Sequence, residues 1–483
     1  MENVTLSVDF RQPNGKIKPM HATNNGPVYK FTEDQRVTNL DAFREAKIPF
    51  YRLHDSSFYA TYGGEHSVDI QAVFPDFDAD ERDPASYDFT LTDEYMKVLI
   101  FAGGEPFYRL GSKIEHWPKK YGTLPPKDFA KWARICEHII RHYTEGWADG
   151  FTYSVRYWEI WNEPDGAADD ADPVDKKCWG GTLAQFCEFY EIAAKHLKAC
   201  FPHLKIGGPA VCTSAKPWVE SFLSYLEKTH TPLDFFSWHC YTGAPERISA
   251  LSVYTRRLLD RHGFFETESI LDEWNYVSDW VGQAWIDSLK TEVNHKGASF
   301  IAATMLASQA DPVDMLMYYD ARPGAMNGLF DTDVVSVLRP GYYPFRMFAR
   351  LWSLGRSVPV VSSEKRDIPA DVDSMEQIAG LEFAHFDGGV YAAAAVSPDH
   401  SSASVMLTHY RDVESCEPVR VRLSLAGIPV GERAKLTVRL FDEKHPDVVI
   451  AERNFASDTA ALEFDLPLFS VMQIGIDPLT RLV

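Results

Sequence analysis

Between about residue 20 and residue 350, short apolar, β-branched or aromatic runs alternate with segments whose apolar residues recur at three- and four-residue steps. Eight runs have strand character: 17–23, 48–54, 105–111, 155–163, 204–210, 233–241, 269–275 and 314–320. The intervening segments 34–46, 88–102, 127–143, 183–200, 216–229, 245–262 and 286–309 are amphipathic helices in this reading, and 341–353 follows the last strand. In 127–143, for instance, Phe129, Trp132, Ile135, Cys136, Ile139 and Ile140 fall on one helical face. Alternating β and α elements imply parallel strands joined by right-handed crossovers. Eight such units predict an α/β protein built on a closed (β/α)8 TIM barrel. No GxGxxG follows an early strand to favour an open dinucleotide-binding sheet.

After Gly355 the texture changes. The stretches 379–396, 402–411, 417–427, 433–443 and 461–476 alternate apolar and polar residues at period two between turn residues, which predicts a C-terminal antiparallel β-sandwich domain. Val4, Leu6, Val8 and Phe10 alternate in the same way, so the first strand is expected to join that sandwich. The expected division is 1–15 for this strand, 16–354 for the barrel and 355–483 for the sandwich.

Composition narrows the partners. The 483 residues include 48 Lys+Arg against 69 Asp+Glu, a formal net charge of −21, and no run of basic residues. That argues against nucleic acid, whose phosphates need a basic stripe. The N-terminus lacks the basic and apolar regions of a secretory signal, and no stretch offers 18 consecutive apolar residues. The expectation is therefore a cytoplasmic protein with no membrane partner. Seven scattered cysteines without a CxxC pair predict free thiols in place of a disulfide framework or a zinc site. The acidic stretch 76–84 begins like a calcium loop, but its sixth position is Glu81 and its twelfth Tyr87, so no metal is expected there. The acidic loop 165–175 is expected to be solvated and to rim the entrance. No cofactor is expected, and a homo-oligomer is compatible with the sequence.

Reactive side chains of a (β/α)8 barrel gather at the C-terminal ends of the strands. Strand four ends in WEIWNEPDG, with Asn162 and Glu163 at its lip, and strand seven ends in ILDEWNY, with Glu273 at its lip. Two facing carboxylates are what cleavage of an acetal requires, one to protonate the departing oxygen and one to stabilise or trap the charge at the sugar carbon. Arg52 and His54 share one face of strand two, and His239 and Tyr241 one face of strand six. The indoles of Trp161 and Trp274 are candidates either for core packing or for walls on which a pyranose lies.

WNEPD, SWHCY and LDEWN, in that order and on those strands, resemble the clan A glycoside hydrolases, and YRLH (51–54), 87–111 and 339–355 narrow the resemblance to family 39, the β-xylosidase and α-L-iduronidase family. The resemblance spans the barrel and continues into the sandwich. It implies a retaining exo-glycosidase in which Glu163 is the general acid/base and Glu273 the nucleophile. It puts Asn162 on the sugar 2-hydroxyl, His239 and Tyr241 near the nucleophile and the sugar, Arg52 on a carboxylate and His54 on a hydroxyl. Repulsion from Glu273 together with burial is expected to raise the pKa of Glu163.

One departure concerns strand eight. Xylosidase-like members carry a Trp and a following acidic pair there, whereas this chain has LMYYDARPGAMNGLF (316–330), whose Arg322 could meet a carboxylated sugar. The expected partner is an oligosaccharide or glycoside, with a β-xyloside first and an arabinoside, galactoside or uronide as alternatives. A non-catalytic carbohydrate-binding protein is the remaining reading, which the presence of both glutamates disfavours.

Overall fold

Eight parallel strands close on themselves in sequence order: Ala22–Asn24, Phe50–Arg52, Glu105–Leu110, Tyr157–Ile160, Lys205–Val211, Phe235–Tyr241, Glu268–Asn275 and Met315–Tyr318, the last pairing with the first. This is the barrel that the alternating pattern predicts. The computed structural model describes residues 2–31, 37–56, 66–364, 372–382, 386–429 and 433–479, except the side chains at 382 and 455.

The helices follow the amphipathic segments. Phe129–Thr144 buries Trp132, Ile135, Cys136, Ile139 and Ile140, and the Asp128 carboxylate caps it by accepting the Lys131 N–H at 2.9 Å. The single helix expected over 286–309 is two, Gly282–Glu292 and His295–Ser308. The Asn294 side chain accepts the N–H groups of Lys296 and Gly297, which starts a new helix where a continuous one would have run. The segment expected over 34–46 is helical over Leu40–Glu45, and residues 32–36 lie outside the described residues.

Beyond the barrel, strands form a four-stranded and a seven-stranded sheet. Asn3–Asp9 lies in the smaller sheet with Val4, Leu6 and Val8 buried, parallel to Val419–Ala426 and antiparallel to Val360–Ser362. The parallel pair is a local exception to the antiparallel sandwich. The stretch read as one strand over 379–396 begins instead in a helix, Met375–Glu382, which packs on the barrel helix Pro245–Arg261; the strand itself is Gly389–Val396. Among the described residues no helix is long and apolar enough to cross a membrane.

The barrel interior is stratified. An apolar layer including Phe50, Phe107, Tyr157, Phe235, Ile270 and Met315 fills the N-terminal half. Two residues further along the strands, Arg52 follows Phe50, Glu159 follows Tyr157 and Asp272 follows Ile270, and all three are fully buried. Period-two alternation thus stacks a charged layer on an apolar one, beneath the rim that carries the candidate chemistry.

Candidate active site

The charged layer is organised by Arg52. Its Nε donates to Glu159 Oε2 at 2.7 Å and lies 3.0 Å from Asp272 Oδ2. Its Nη1 donates to Glu273 Oε1 at 2.7 Å and to Asn24 Oδ1 at 3.0 Å, and its Nη2 donates to Asn162 Oδ1 at 2.7 Å. Burying so many charges is tolerable only because the planar guanidinium fork meets them with directed hydrogen bonds. The Asn162 amide oxygen is thereby occupied, which leaves its NH2 to meet a ligand.

Glu273 reaches this layer through an irregularity. Trp238 pairs with Leu271 but His239 pairs with Glu273, so Asp272 is one residue too many in strand seven. Such a bulge re-aims the side chains that follow it. Asp272 and Glu273 therefore both address the interior, while Trp274 turns outward. On strand four the same job is done by backbone dihedrals. Trp161 and Glu163 have φ of 77° and 47°, left-handed values that cost a non-glycine residue roughly 1–3 kcal/mol. The Glu163 N–H donates to the Ala210 carbonyl at 2.8 Å and holds that turn against strand five.

The two glutamates meet over the barrel. One carboxylate oxygen of Glu163, one of Glu273 and a ring nitrogen of His239 all lie within 4.8 Å of one another. Glu273 Oε2 accepts the Tyr241 hydroxyl at 2.7 Å, and His54 Nε2 lies 3.5 Å from Oε1. Glu163 Oε1 is hydrogen-bonded to His239 Nδ1 at 2.9 Å, and the Cys178 thiol donates to Oε2 at 3.7 Å. His239 Nε2 lies 3.5 Å from Asp272 Oδ1.

Electrostatics reverses one expectation. Burial pushes the Glu163 carboxyl up, but the His239 hydrogen bond and charge, with His54 and the Cys212 thiol, outweigh it and hold it at about 2. Burial likewise disfavours protonated His239, yet Glu273 and Asp272 beside it raise its pKa well above the usual imidazole range. Glu273 is also lowered, because His239, His54 and Arg52 outweigh its burial. The raised Glu163 pKa expected from Glu273 and burial is thus incorrect for the unliganded site, since a cationic imidazole stands against the same carboxylate.

Trp161 and Trp274 require a second correction. Both are buried, at 1% and 0% exposure. Trp161 packs against Trp132, Trp179 and Phe189 and donates its indole N–H to the Cys178 carbonyl, while Trp274 packs against Phe300 and Tyr318. They are core residues because the left-handed turn and the bulge redirect them. The aromatic at the rim of strand eight is half-buried Tyr319, its ring edge-on to His54 at 5.3 Å. Arg322 lies 3.3 Å from Asp55 and 3.6 Å from Asp320, and Lys113 lies 3.7 Å from Asp55. In the acidic loop Asp165 is buried and paired with Lys216 at 2.9 Å, so that end of the loop is not the solvated rim expected of it.

Asn24, Glu159 and Asp272 escaped the reading of the sequence. Charged residues inside otherwise apolar strand runs were the available signal for two of them. By geometry Glu163, His239 and Glu273 could hold a cation, as could Glu137, His196 and Cys200 on the outer helices, but in each set the imidazole already bonds a glutamate.

Residues 66–263 match Glycosyl hydrolases family 39, a stretch that includes Glu163 and stops short of Glu273. A β-xylosidase of Geobacillus stearothermophilus is 23% identical over 320 residues, which cover 59% of this chain and 60% of that enzyme. An α-L-iduronidase of Canis lupus familiaris is 29% identical over 159 residues, 32% of this chain and 22% of that protein. In architecture the chain resembles a glucosidase from Croceicoccus marinus, with a TM-score of 0.78 at 22% identity, covering 99% of this chain and 100% of that one. The ordered strand-end motifs, the two facing glutamates and these matches point the same way: over residues 66–263 the chain matches glycoside hydrolase family 39, and it is similar to a β-xylosidase and an α-L-iduronidase in sequence.

Proposed function

We propose that the protein is a retaining exo-glycosidase, β-xylosidase-like, which releases a terminal sugar through a covalent glycosyl-enzyme. The observation that carries the reading is the spacing of the glutamates, with oxygens of the two carboxylates within 4.8 Å. Retaining enzymes hold their carboxyl groups about 5–5.5 Å apart, whereas inverting enzymes leave about 6.5–9.5 Å for a water. The names of the β-xylosidase relatives favour xylose as the glycone. A neutral sugar also suits the rim, where Arg322 and Lys113 face Asp55 and Asp320. All seven cysteines are unpaired, which fits a reducing, cytoplasmic compartment.

The chemistry runs as follows. Glu273, ionised and aimed by Arg52 and Tyr241, attacks the anomeric carbon as the glycosidic bond breaks. The departing oxygen takes a proton from Glu163, which draws it from His239 across their hydrogen bond. The resulting ester removes the charge of Glu273, so the repulsion it exerted on Glu163 disappears. Glu163 then accepts a proton from water as that water attacks the anomeric carbon, and Glu273 leaves as carboxylate. The Asn162 NH2 meets the 2-hydroxyl, a bond that strengthens as the oxocarbenium-like state develops.

Azide rescue tests the two roles. Glu163→Ala should keep substantial turnover of aryl glycosides with good leaving groups and lose natural ones, with azide restoring rate and giving a glycosyl azide of retained configuration. Glu273→Ala should lose both, and azide should there give the inverted product. Equal loss of both substrate classes in Glu163→Ala contradicts its assignment as the acid.

A further inference from the structure

The Glu163 carboxylate is held on both of its oxygens, and by unlike partners. Oε1 is bonded to the His239 imidazole at 2.9 Å, while Oε2 accepts the buried Cys178 thiol at 3.7 Å. We infer that Cys178 is a positioning residue for the acid/base, its thiol fixing the plane in which Glu163 hands a proton to the departing oxygen; this rests on the glycosidase reading above. The last torsion of a glutamate is broad and roughly two-fold, so a partner on one oxygen alone leaves the carboxylate free to swing. A second partner on the other oxygen removes that freedom.

The backbone around Cys178 is tied down on two sides. Its carbonyl accepts the Trp161 indole N–H at 2.8 Å, which links it to strand four two residues before Glu163, and the Lys177 carbonyl accepts the Glu115 N–H at 2.9 Å. The buried indole thus has a use beyond packing. Cys212, just past the end of strand five, supplies a second thiol, and its hydrogen bond also lowers the Glu163 carboxyl. Burial, with the carboxylates of Glu163 and Asp165, pushes both thiols well above the usual range. They therefore stay protonated, serve as donors and are inert as nucleophiles. A carboxyl that releases a proton and then takes one from water changes charge twice in each turnover. A strong donor on Oε2 would hold it ionised, whereas the weakly donating S–H orients it and lets it change charge.

Leaving-group dependence tests this, because a misplaced acid harms chiefly the substrates that need its proton. A panel of nitrophenyl glycosides first chooses the glycone, and kcat/KM is then compared between the phenyl and dinitrophenyl glycosides of that sugar. Cys178→Ala should lower the phenyl-to-dinitrophenyl ratio by roughly tenfold, the lower end for a hydrogen bond to a charged group. Cys178→Val, which keeps most of the bulk without the donor, should do the same. Cys187→Ala removes another buried thiol, from the barrel helix Leu183–Cys200, and should leave the ratio unchanged. A ratio that moves less than about threefold in either Cys178 variant, or that moves as far in Cys187→Ala, overturns the inference while leaving the hydrolase reading intact. A ratio that Glu163→Ala itself does not move overturns the assignment of the acid on which the inference rests.

Discussion

Nδ1 of His239 stands 2.9 Å from Oε1 of Glu163, and His239 is fully buried, so a single proton is shared along a bond whose imidazole end is shielded from bulk water. Glu273 and Asp272 hold that proton on the imidazole, whose pKa is raised, while Glu163 is held at about 2. The proton required for the first chemical step is therefore lost only when the imidazolium deprotonates, above the usual histidine range. In His239→Gln the amide carries no such proton, and Glu163 must hold it as an ordinary buried carboxyl. The alkaline limb of kcat/KM is expected to move to lower pH by about one unit or more. An unmoved alkaline limb in the pH–rate profile of this variant contradicts storage of the proton on His239.

Tyr241 acts on the other glutamate. Its hydroxyl donates to Glu273 Oε2 at 2.7 Å, a hydrogen bond to the charged form, while Arg52 takes Oε1. Tyr241→Phe removes one of these donors and so raises the pKa of Glu273. The carboxylate is then lost earlier as pH falls, and the acid limb should move to higher pH. A hydrogen bond to a charged group contributes about 1.5–3 kcal/mol, so kcat/KM at the optimum should fall by roughly 10- to 100-fold. Steady-state kinetics across the pH range checks both the direction and the size.

The barrel was legible because burial imposes a period that local sequence carries: Phe50 and Arg52, or Tyr157 and Glu159, are simply two residues apart on one face. The ends of the strands were legible as motifs, which put Glu163 and Glu273 at facing rims. Illegible were the departures from that period. Nothing local in ILDEWN announces that Asp272 is a bulge residue, because the extra residue is defined by pairing with strand six, in another part of the chain. The same is true of the left-handed Trp161. The local period therefore left both indoles open between core and sugar wall, and the charge of His239 against Glu163, a contact between residues 76 apart, inverted the expected pKa.

Arg52 is the structural centre of that charged layer, and its removal should be felt in the fold as well as in the rate. Arg52→Met leaves Asp272 and Glu273 buried without their shared cation, and Glu159, whose carboxyl burial already pushes up to about 8, without its donor. Breaking a buried charge pair typically costs about 3–5 kcal/mol, because the remaining charge keeps its desolvation penalty. Chemical denaturation at neutral pH should show a loss of that order. The loss should shrink in acid, where protonation of the orphaned carboxylates relieves the penalty. A variant as stable as the parent at neutral pH would mean that the carboxylates are already neutral.

The aromatic rim of strand eight separates sugar contact from packing. Tyr319 is half-buried, with its ring 5.3 Å from His54 and 6.4 Å from Tyr241, and so borders the space above Glu273. Trp274, on the neighbouring strand, is fully buried against Phe300 and Tyr318. The two aromatics should respond oppositely to truncation. Tyr319→Ala is expected to lower kcat/KM roughly tenfold or more for every glycoside that shares the glycone, because the face on which the ring rests is gone, while stability changes by about 1 kcal/mol or less. Trp274→Ala should instead cost about 3–5 kcal/mol of stability through the cavity it leaves. Its effect on rate should appear only near the temperature at which the variant unfolds. Measuring kcat/KM and denaturant midpoints for both variants side by side distinguishes the assignments. A Trp274→Ala enzyme that stays stable yet loses affinity for the sugar would return that indole to the binding site.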